Sequence, residues 1–196
     1  MEKQIFNLPD ADIIYFSEFL PKVIAEKYFH IFLNELHWQQ KEIKIFGKKI
    51  AQPRLTALYA ENQTPYNYSG LTLQPEGFTP ELEEIKRKLL TTVGISFSHC
   101  LANLYRDGND SMGWHSDDER ELGKEPVIAS ISFGAVRNFQ LKHKKEKKLK
   151  TSINLKEGSL LLMKGTTQHH WKHHLPKTRK SVGPRINLTF RRIFGE

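Results

Sequence analysis

Apolar and polar positions recur with two different periods along this chain. Between residues 21 and 36, Val23, Ile24, Ile31, Phe32 and Leu36 fall at near-helical spacing behind Pro21, whose fixed φ and missing N–H suit the first position of a helix. A second helix is predicted from about 80 to 92, with Thr79 as N-cap, Pro80 at the first position, and Leu82, Ile85 and Leu89 on one face. Elsewhere the period shortens to two. Short alternating segments at about 97–105, 127–133, 137–143, 159–163 and 185–191 are predicted strands, separated by turns such as Arg106-Asp107-Gly108-Asn109 and Lys156-Glu157-Gly158. Helices followed by many short strands indicate an α+β fold, with a double-sheeted β core as the simplest architecture.

Length and composition narrow this picture. The 196 residues suit one domain, at roughly 150 residues per domain. With 38% hydrophobic and 27% charged residues the composition is that of a globular protein. No apolar run approaches the ~18 residues of a membrane span, so no membrane partner is expected. The N-terminal stretch lacks a basic and then apolar signal pattern. The expected location is therefore intracellular: cytoplasmic in a bacterium, nuclear in a eukaryote. A single cysteine, Cys100, rules out an intrachain disulfide and a cysteine-ligated structural zinc, so any metal must be held by His and carboxylates. The formal charge of +8 attracts polyanions without naming one. The lysine-rich stretch 142–150 reads as a solvated hairpin tip, a phosphate-contacting loop, or in a eukaryote a nuclear-import signal.

Three groups of residues carry candidate chemistry. His115-Ser116-Asp117 places an imidazole and a carboxylate two residues apart, on one face if the segment is extended. Alone this pattern is common. The cluster His169-His170-Trp171-Lys172-His173-His174 lies far downstream and can supply a third ligand. Two His and one carboxylate on one face of an octahedral ion is the arrangement of non-haem Fe(II) oxygenases, with zinc as the inorganic alternative. In the last strand Arg185, Asn187, Thr189 and Arg191 alternate with Ile186, Leu188 and Phe190. Two arginines turned into a barrel need an anion, and a dicarboxylate cosubstrate is a natural one. Asn103 and Tyr105 share a strand face and can hydrogen-bond the same molecule, although a buried Tyr also caps a core unaided.

Asn103-x-Tyr105, His115-x-Asp117, a late His and Arg185-x5-Arg191, in this order, resemble the AlkB family of nucleic-acid dealkylating dioxygenases. Tyr105-Arg106-Asp107-Gly108, Gly113-Trp114-His115-Ser116-Asp117-Asp118-Glu119-Arg120-Glu121-Leu122 and the run from Pro184 to Arg191 look most like its homologues two and three, the DNA-repair branch. The resemblance covers about residues 40–193. It implies a double-stranded β-helix, or jelly roll, with N-terminal helices packed on one sheet. It also implies an N-terminal extension and helix to about residue 40, a nucleotide-recognition region at about 41–95, and a catalytic core at about 96–193. Carried over, His115, Asp117 and His173 would hold Fe(II). His173 is chosen because the family pattern is Trp-x-His, with His174 and His170 as the other choices. Arg185 would clamp the distal carboxylate of 2-oxoglutarate, and Asn103, Tyr105, Thr189 and Arg191 would fix the rest of it.

The substrate side is implied in the same way. Tyr66-Asn67-Tyr68-Ser69-Gly70 resembles the family's base-binding loop, with Tyr68 as the stacking ring. Ile45-Phe46-Gly47-Lys48 resembles the hairpin whose aromatic tip, here Phe46, fills the gap in a duplex, although Phe46 would equally suit a core. Arg54 is a candidate backbone or phosphate contact, and Asp118 and Glu119 are candidate anions beside a cationic methylated base. Leu101, Ile131 or Leu188 would shield the reaction. The implied chemistry consumes 2-oxoglutarate and O2 and removes N-alkyl groups from bases such as 1-methyladenine and 3-methylcytosine, releasing formaldehyde. The chain is expected to act as a monomer with DNA as its partner, and RNA is the alternative within the same mechanism. A non-catalytic metal-binding nucleic-acid module is the alternative outside it.

Overall fold

Both helical patterns fold as helices, with different ends. The computed structural model describes residues 2–45, 48–62, 66–68 and 71–194, and the backbone alone at 43–45, 48, 66–68 and 71–73. Helix α1 spans Lys22–Glu35 and α2 spans Pro80–Val93. The Thr79 hydroxyl accepts from the Leu82 N–H, and Gly94 closes α2 at φ 73°, a left-handed conformation that glycine adopts without strain. Pro21 is the N-cap of α1 rather than its first helical residue, with ψ at 143°. Its carbonyl still accepts the first helical bonds, from Ile24 and Ala25.

The strands assemble into two main sheets. The larger contains β1 (Lys3–Phe6), β2 (Asp12–Phe16), β5 (Leu55–Ala60), β8 (His99–Tyr105), β10 (Ile128–Gly134), β13 (Leu160–Lys164) and β15 (Arg185–Arg191), in the order β1-β2-β13-β10-β15-β8-β5. The smaller contains β9 (Met112–His115), β11 (Arg137–His143), β12 (Lys150–Leu155) and β14 (Trp171–Leu175), in the order β12-β11-β14-β9. Two separate hairpins precede α2: β3 (Glu42–Ile45) with β4 (Lys48–Ala51), and β6 (Tyr66–Tyr68) with β7 (Leu71–Leu73). A single turn of helix, α3 (Thr167–His170), leads into β14. The pairings are antiparallel throughout both sheets.

Alternation places a core on each face of the larger sheet. On the outer face Phe32 of α1 and Leu82, Ile85 and Leu89 of α2 pack on Ile131, Phe133, Ile186, Leu188 and Phe190. On the inner face Ile13, Tyr15, Ile128, Leu161 and Met163 meet Leu141, Ile153, Leu155 and Trp171 of the smaller sheet. This is the α+β jelly roll anticipated above, with helices against one sheet. Two points differ. The strand core does not begin at about residue 96, because β1, β2 and β5 already extend the larger sheet at both edges. Ile131 and Leu188 cannot shield a site between the sheets, since their side chains belong to the helix-facing core.

The tight return before β13 explains one glycine. Gly158 has φ 71°, and a Cβ there would lie 2.7 Å from the Leu20 carbonyl oxygen. Phe32 is fully buried and meets Phe133 edge-on at 5.4 Å. Phe32→Ala is expected to cost about 3–5 kcal/mol in urea unfolding. Val23→Ala, on the same helix but 74% exposed, is expected to change stability by less than about 0.5 kcal/mol.

Candidate metal and cosubstrate site

The polar face of β15 forms the floor of a cavity between the sheets. Arg185, Asn187, Thr189 and Arg191 point inward, and β15 pairs Arg185 with Tyr105, Asn187 with Asn103, and Thr189 with Ser130. These side chains bond to one another: Asn187 donates to Ser130 Oγ at 2.7 Å, and Thr189 donates to Asn187 Oδ1 at 2.9 Å. A row of amides and hydroxyls is thereby pre-aligned on a rigid sheet.

Above this floor stand the three metal-ligand candidates. His115 closes β9, His173 lies mid-strand in β14, and the two are register partners. Asp117 follows in a loop whose backbone N–H donates to Gln168 Oε1 of α3 at 3.0 Å. The donor atoms of His115, Asp117 and His173 all lie within 4.8 Å of one another. The two imidazole Nε2 atoms are 3.1 Å apart, close to the ~3 Å between adjacent octahedral positions at metal–nitrogen distances of about 2.1 Å. His115 Nδ1 lies 2.8 Å from the Gly113 carbonyl oxygen, which only accepts. Nδ1 therefore carries the proton and Nε2 presents its lone pair to the cavity.

Electrostatics prepare the same state. Burial and the neighbouring His115 hold His173 down at about 3, neutral and ready to ligate. Burial also lowers His115. Burial would raise Asp117, but Arg191, His173 and His115 outweigh it and bring the carboxyl to about 2, so it is ionised. Two neutral imidazoles and one carboxylate fit an open-sided Fe(II) centre.

The two arginines of β15 divide their roles. Arg191 Nη2 bonds Asp117 Oδ1 at 2.9 Å with both groups buried, so it orients a candidate metal ligand while lining the same cavity as Arg185. Arg185 is also buried and lies over the Tyr105 ring at 5.4 Å. Its Nη2 donates to Ser132 Oγ at 2.8 Å, while its Nε has no hydrogen-bond partner among the described residues. Burial lowers Arg185 to about 10, still a cation at neutral pH. Among the described residues no carboxylate pairs with it, so a carboxylate arriving in this cavity would meet an uncompensated buried cation.

Residues 12–191 match the 2OG-Fe(II) oxygenase superfamily. The chain belongs to that superfamily. It is 38% identical over 182 residues to the DNA oxidative demethylase ALKBH2 of Mus musculus, covering 88% of this chain and 76% of the relative. It is 40% identical over 179 residues to alpha-ketoglutarate-dependent dioxygenase alkB homolog 3 of Bos taurus, covering 87% of this chain and 62% of that one. These likenesses place the chain in the AlkB branch of the superfamily. Against several curated relatives the chain spans about six tenths of their length. The solved structure of OsALKBH1 superposes with a TM-score of 0.67 at 15% identity, covering 97% of this chain and 100% of that one, a likeness of fold.

The remaining candidate residues fall into three groups. Asn103, Tyr105 and Thr189 line the cavity with Arg185. Arg54 is not a surface phosphate contact: it is 4% exposed and its Nε donates to Asn103 Oδ1 at 2.9 Å, which holds that amide in place. Asp118 is already paired with Lys144 at 2.9 Å and makes a poor partner for a cationic base. Glu119 is partly buried, and burial with the nearby Asp117 raises it to about 6. Phe46, Gly47 and Ser69 lie outside the described residues. Lys48, Tyr66, Asn67 and Tyr68 sit on β4 and β6, whose side chains there are likewise outside the description.

The other histidines are occupied elsewhere. His174 points out of the sandwich, bonded to Gln140 and stacked on Trp114. His170 and His143 approach Asp10 and form a second group of three possible donors. That group is closed to a metal at His143, because its Nδ1 accepts from the Lys145 and Glu146 N–H groups and the proton must sit on Nε2. Two kinds of residue escaped sequence reasoning. Ser130 and Ser132 were legible as the polar phase of an otherwise apolar strand, whereas nothing local singles out Gln168.

Arg185→Gln is expected to weaken 2-oxoglutarate binding about 10- to 100-fold, as charge-assisted hydrogen bonds of about 1.5–3 kcal/mol are lost. Anaerobic calorimetric titration of the metal-loaded protein measures this. Gln168→Ala is expected to loosen metal binding by about 10-fold through the freed Asp117 loop, read by competition with a metallochromic chelator.

Proposed function

We propose that this oxygenase removes alkyl groups from N-alkylated DNA bases of the 1-methyladenine and 3-methylcytosine type, using Fe(II), 2-oxoglutarate and O2, as direct repair of alkylation damage inside the cell. The observation that carries the reading is the buried Arg185 cation facing an intact His115, Asp117 and His173 set across one cavity. The DNA half rests on relatives whose names state DNA oxidative demethylation and on the +8 charge, which suits a polyanion.

When bound, the iron supplies an oxidant that hydroxylates an N-methyl carbon while 2-oxoglutarate is decarboxylated to succinate. The residues of the chain do the rest. Arg185 and Tyr105 hold the distal end of the cosubstrate, with Asn103 fixed by Arg54 beside them. Arg191 and Gln168 keep Asp117 oriented. Met112, Ile128, Phe139 and Leu175 line the same cavity and exclude water from the reacting carbon. The hydroxymethyl base then releases formaldehyde and returns to its unmodified form. A methylated base that no longer pairs costs less to extrude, which favours damaged over intact DNA.

The decisive experiment gives the anaerobically iron-loaded protein 2-oxoglutarate, air and a DNA oligonucleotide bearing one 1-methyladenine, and reads the intact DNA mass. Loss of one methylene unit is expected, absent without 2-oxoglutarate and in His173→Ala. Succinate without a mass change would keep the oxygenase and remove DNA as substrate, with the matched RNA as the next oligonucleotide. No succinate at all would overturn the catalytic reading.

A further inference from the structure

The outward face of the smaller sheet carries a charge arrangement that the cavity does not need. Lys142 of β11 is the register partner of Lys150 on β12 and of Lys172 on β14. All three are exposed, so three ammonium groups lie in a row across three strands, about 10 Å from end to end at strand spacings of 4.8 Å. Like charges directly opposite on a sheet are destabilising. Among the described residues none of the three is within ion-pair distance of a carboxylate. The other outward positions on β11, β12 and β14, which are Asn138, Gln140, Ser152, Asn154 and His174, include no acid. Their amides bond one another and His174, so none of them brings a negative charge to the lysines.

An aromatic ring completes the row. Trp114 of β9 stacks on His174 with centroids 3.7 Å apart, stays 37% exposed, and has the Lys142 ammonium 4.2 Å from its ring centre. A groove runs from Trp114 past Lys142 to Lys147 and Lys150. A cationic groove beside an exposed indole is a recurrent means of holding an unpaired nucleic-acid strand, with phosphates on the cations and a base on the ring. A closed duplex would offer the phosphates but no free base face.

We propose that this outer face binds a single nucleic-acid strand, with Lys142, Lys150 and Lys172 on its phosphates and Trp114 stacking on a base. The choice of nucleic acid among polyanions rests on the function proposed above. The two surfaces are one strand apart: β9 is an edge of its sheet, and its consecutive residues Trp114 and His115 face out and in. A strand with one base in the cavity would cross that edge to reach the ladder.

The test is fluorescence anisotropy of a labelled, unmethylated single-stranded oligonucleotide titrated with the 196-residue protein over a range of salt. K142Q/K150Q/K172Q is expected to weaken binding at least about ten-fold and to lower the log–log salt slope by about 2, at about 0.7 per phosphate contact on single strands. Trp114→Ala is expected to weaken binding about five-fold or more, with Trp114→Phe restoring most of it. K22Q/K27Q/K88Q, on the helices of the opposite sheet, removes the same charge as a control. Unchanged 2-oxoglutarate affinity and thermal unfolding show that the ladder variant keeps its cavity and fold. Equal losses in the two triple variants, an unchanged slope, or equal binding of duplex with no effect at Trp114 would each overturn the inference. A ladder-specific loss from a protein that demethylates nothing would uphold the surface and remove the function reading instead.

Discussion

The register of β15 between β8 and β10 is the constraint on which the rest depends. Each neighbour pairs with it over seven residues, from Arg185 to Arg191. A slip of one residue would turn Arg185, Asn187, Thr189 and Arg191 into the helix-facing core and send Ile186, Leu188 and Phe190 into the cavity, because side chains alternate with period two. Fold and site are therefore one choice. The contacts that seat Phe32 and Leu89 on Ile186 and Phe190 are the same contacts that aim the arginines at the opposite sheet.

Buried charge makes that choice costly unless it is answered. Arg191 is answered within the chain by Asp117, and removing either partner of such a pair leaves an isolated charge at low dielectric. Among the described residues Arg185 is answered by the Ser132 hydroxyl and the Tyr105 ring. Both cations line the cavity, but Arg191 already pairs with a carboxylate and, among the described residues, Arg185 does not. The first pre-orients a ligand, and the second holds binding energy in reserve for an anionic cosubstrate, at some expense to the stability of the empty protein.

Much of this was legible in the sequence, for reasons that differ by element. The α2 boundaries followed from Thr79 and Pro80, whose chemistry is local. The β15 alternation was unambiguous because its polar phase is strongly polar. Other elements hid behind a second use of their residues. Trp171–Leu175 looks like a histidine cluster, yet Trp171, His173 and Leu175 are its inward phase and make it a strand. In β2, Asp-Ile-Ile-Tyr-Phe lacks alternation because both faces are covered, which periodicity alone cannot distinguish from a buried helix segment. Arg54 could not be placed from its type at all, since an arginine that braces a buried amide and one that meets a phosphate look alike in sequence.

The smaller sheet shows why function and surface are hard to separate in this fold. Its strands are a single layer thick, so the residues flanking each metal ligand must face the other way: Trp114 beside His115, and His174 beside His173. Trp114 and His174 stack directly behind the two ligand imidazoles, which meet at 4.2 Å on the inner side. Packing on the outer face thus limits the backbone positions from which the ligands project. The strands β9 and β14, which carry the two candidate ligand imidazoles, are therefore shared between the inner cavity and the outer lysine-bearing face.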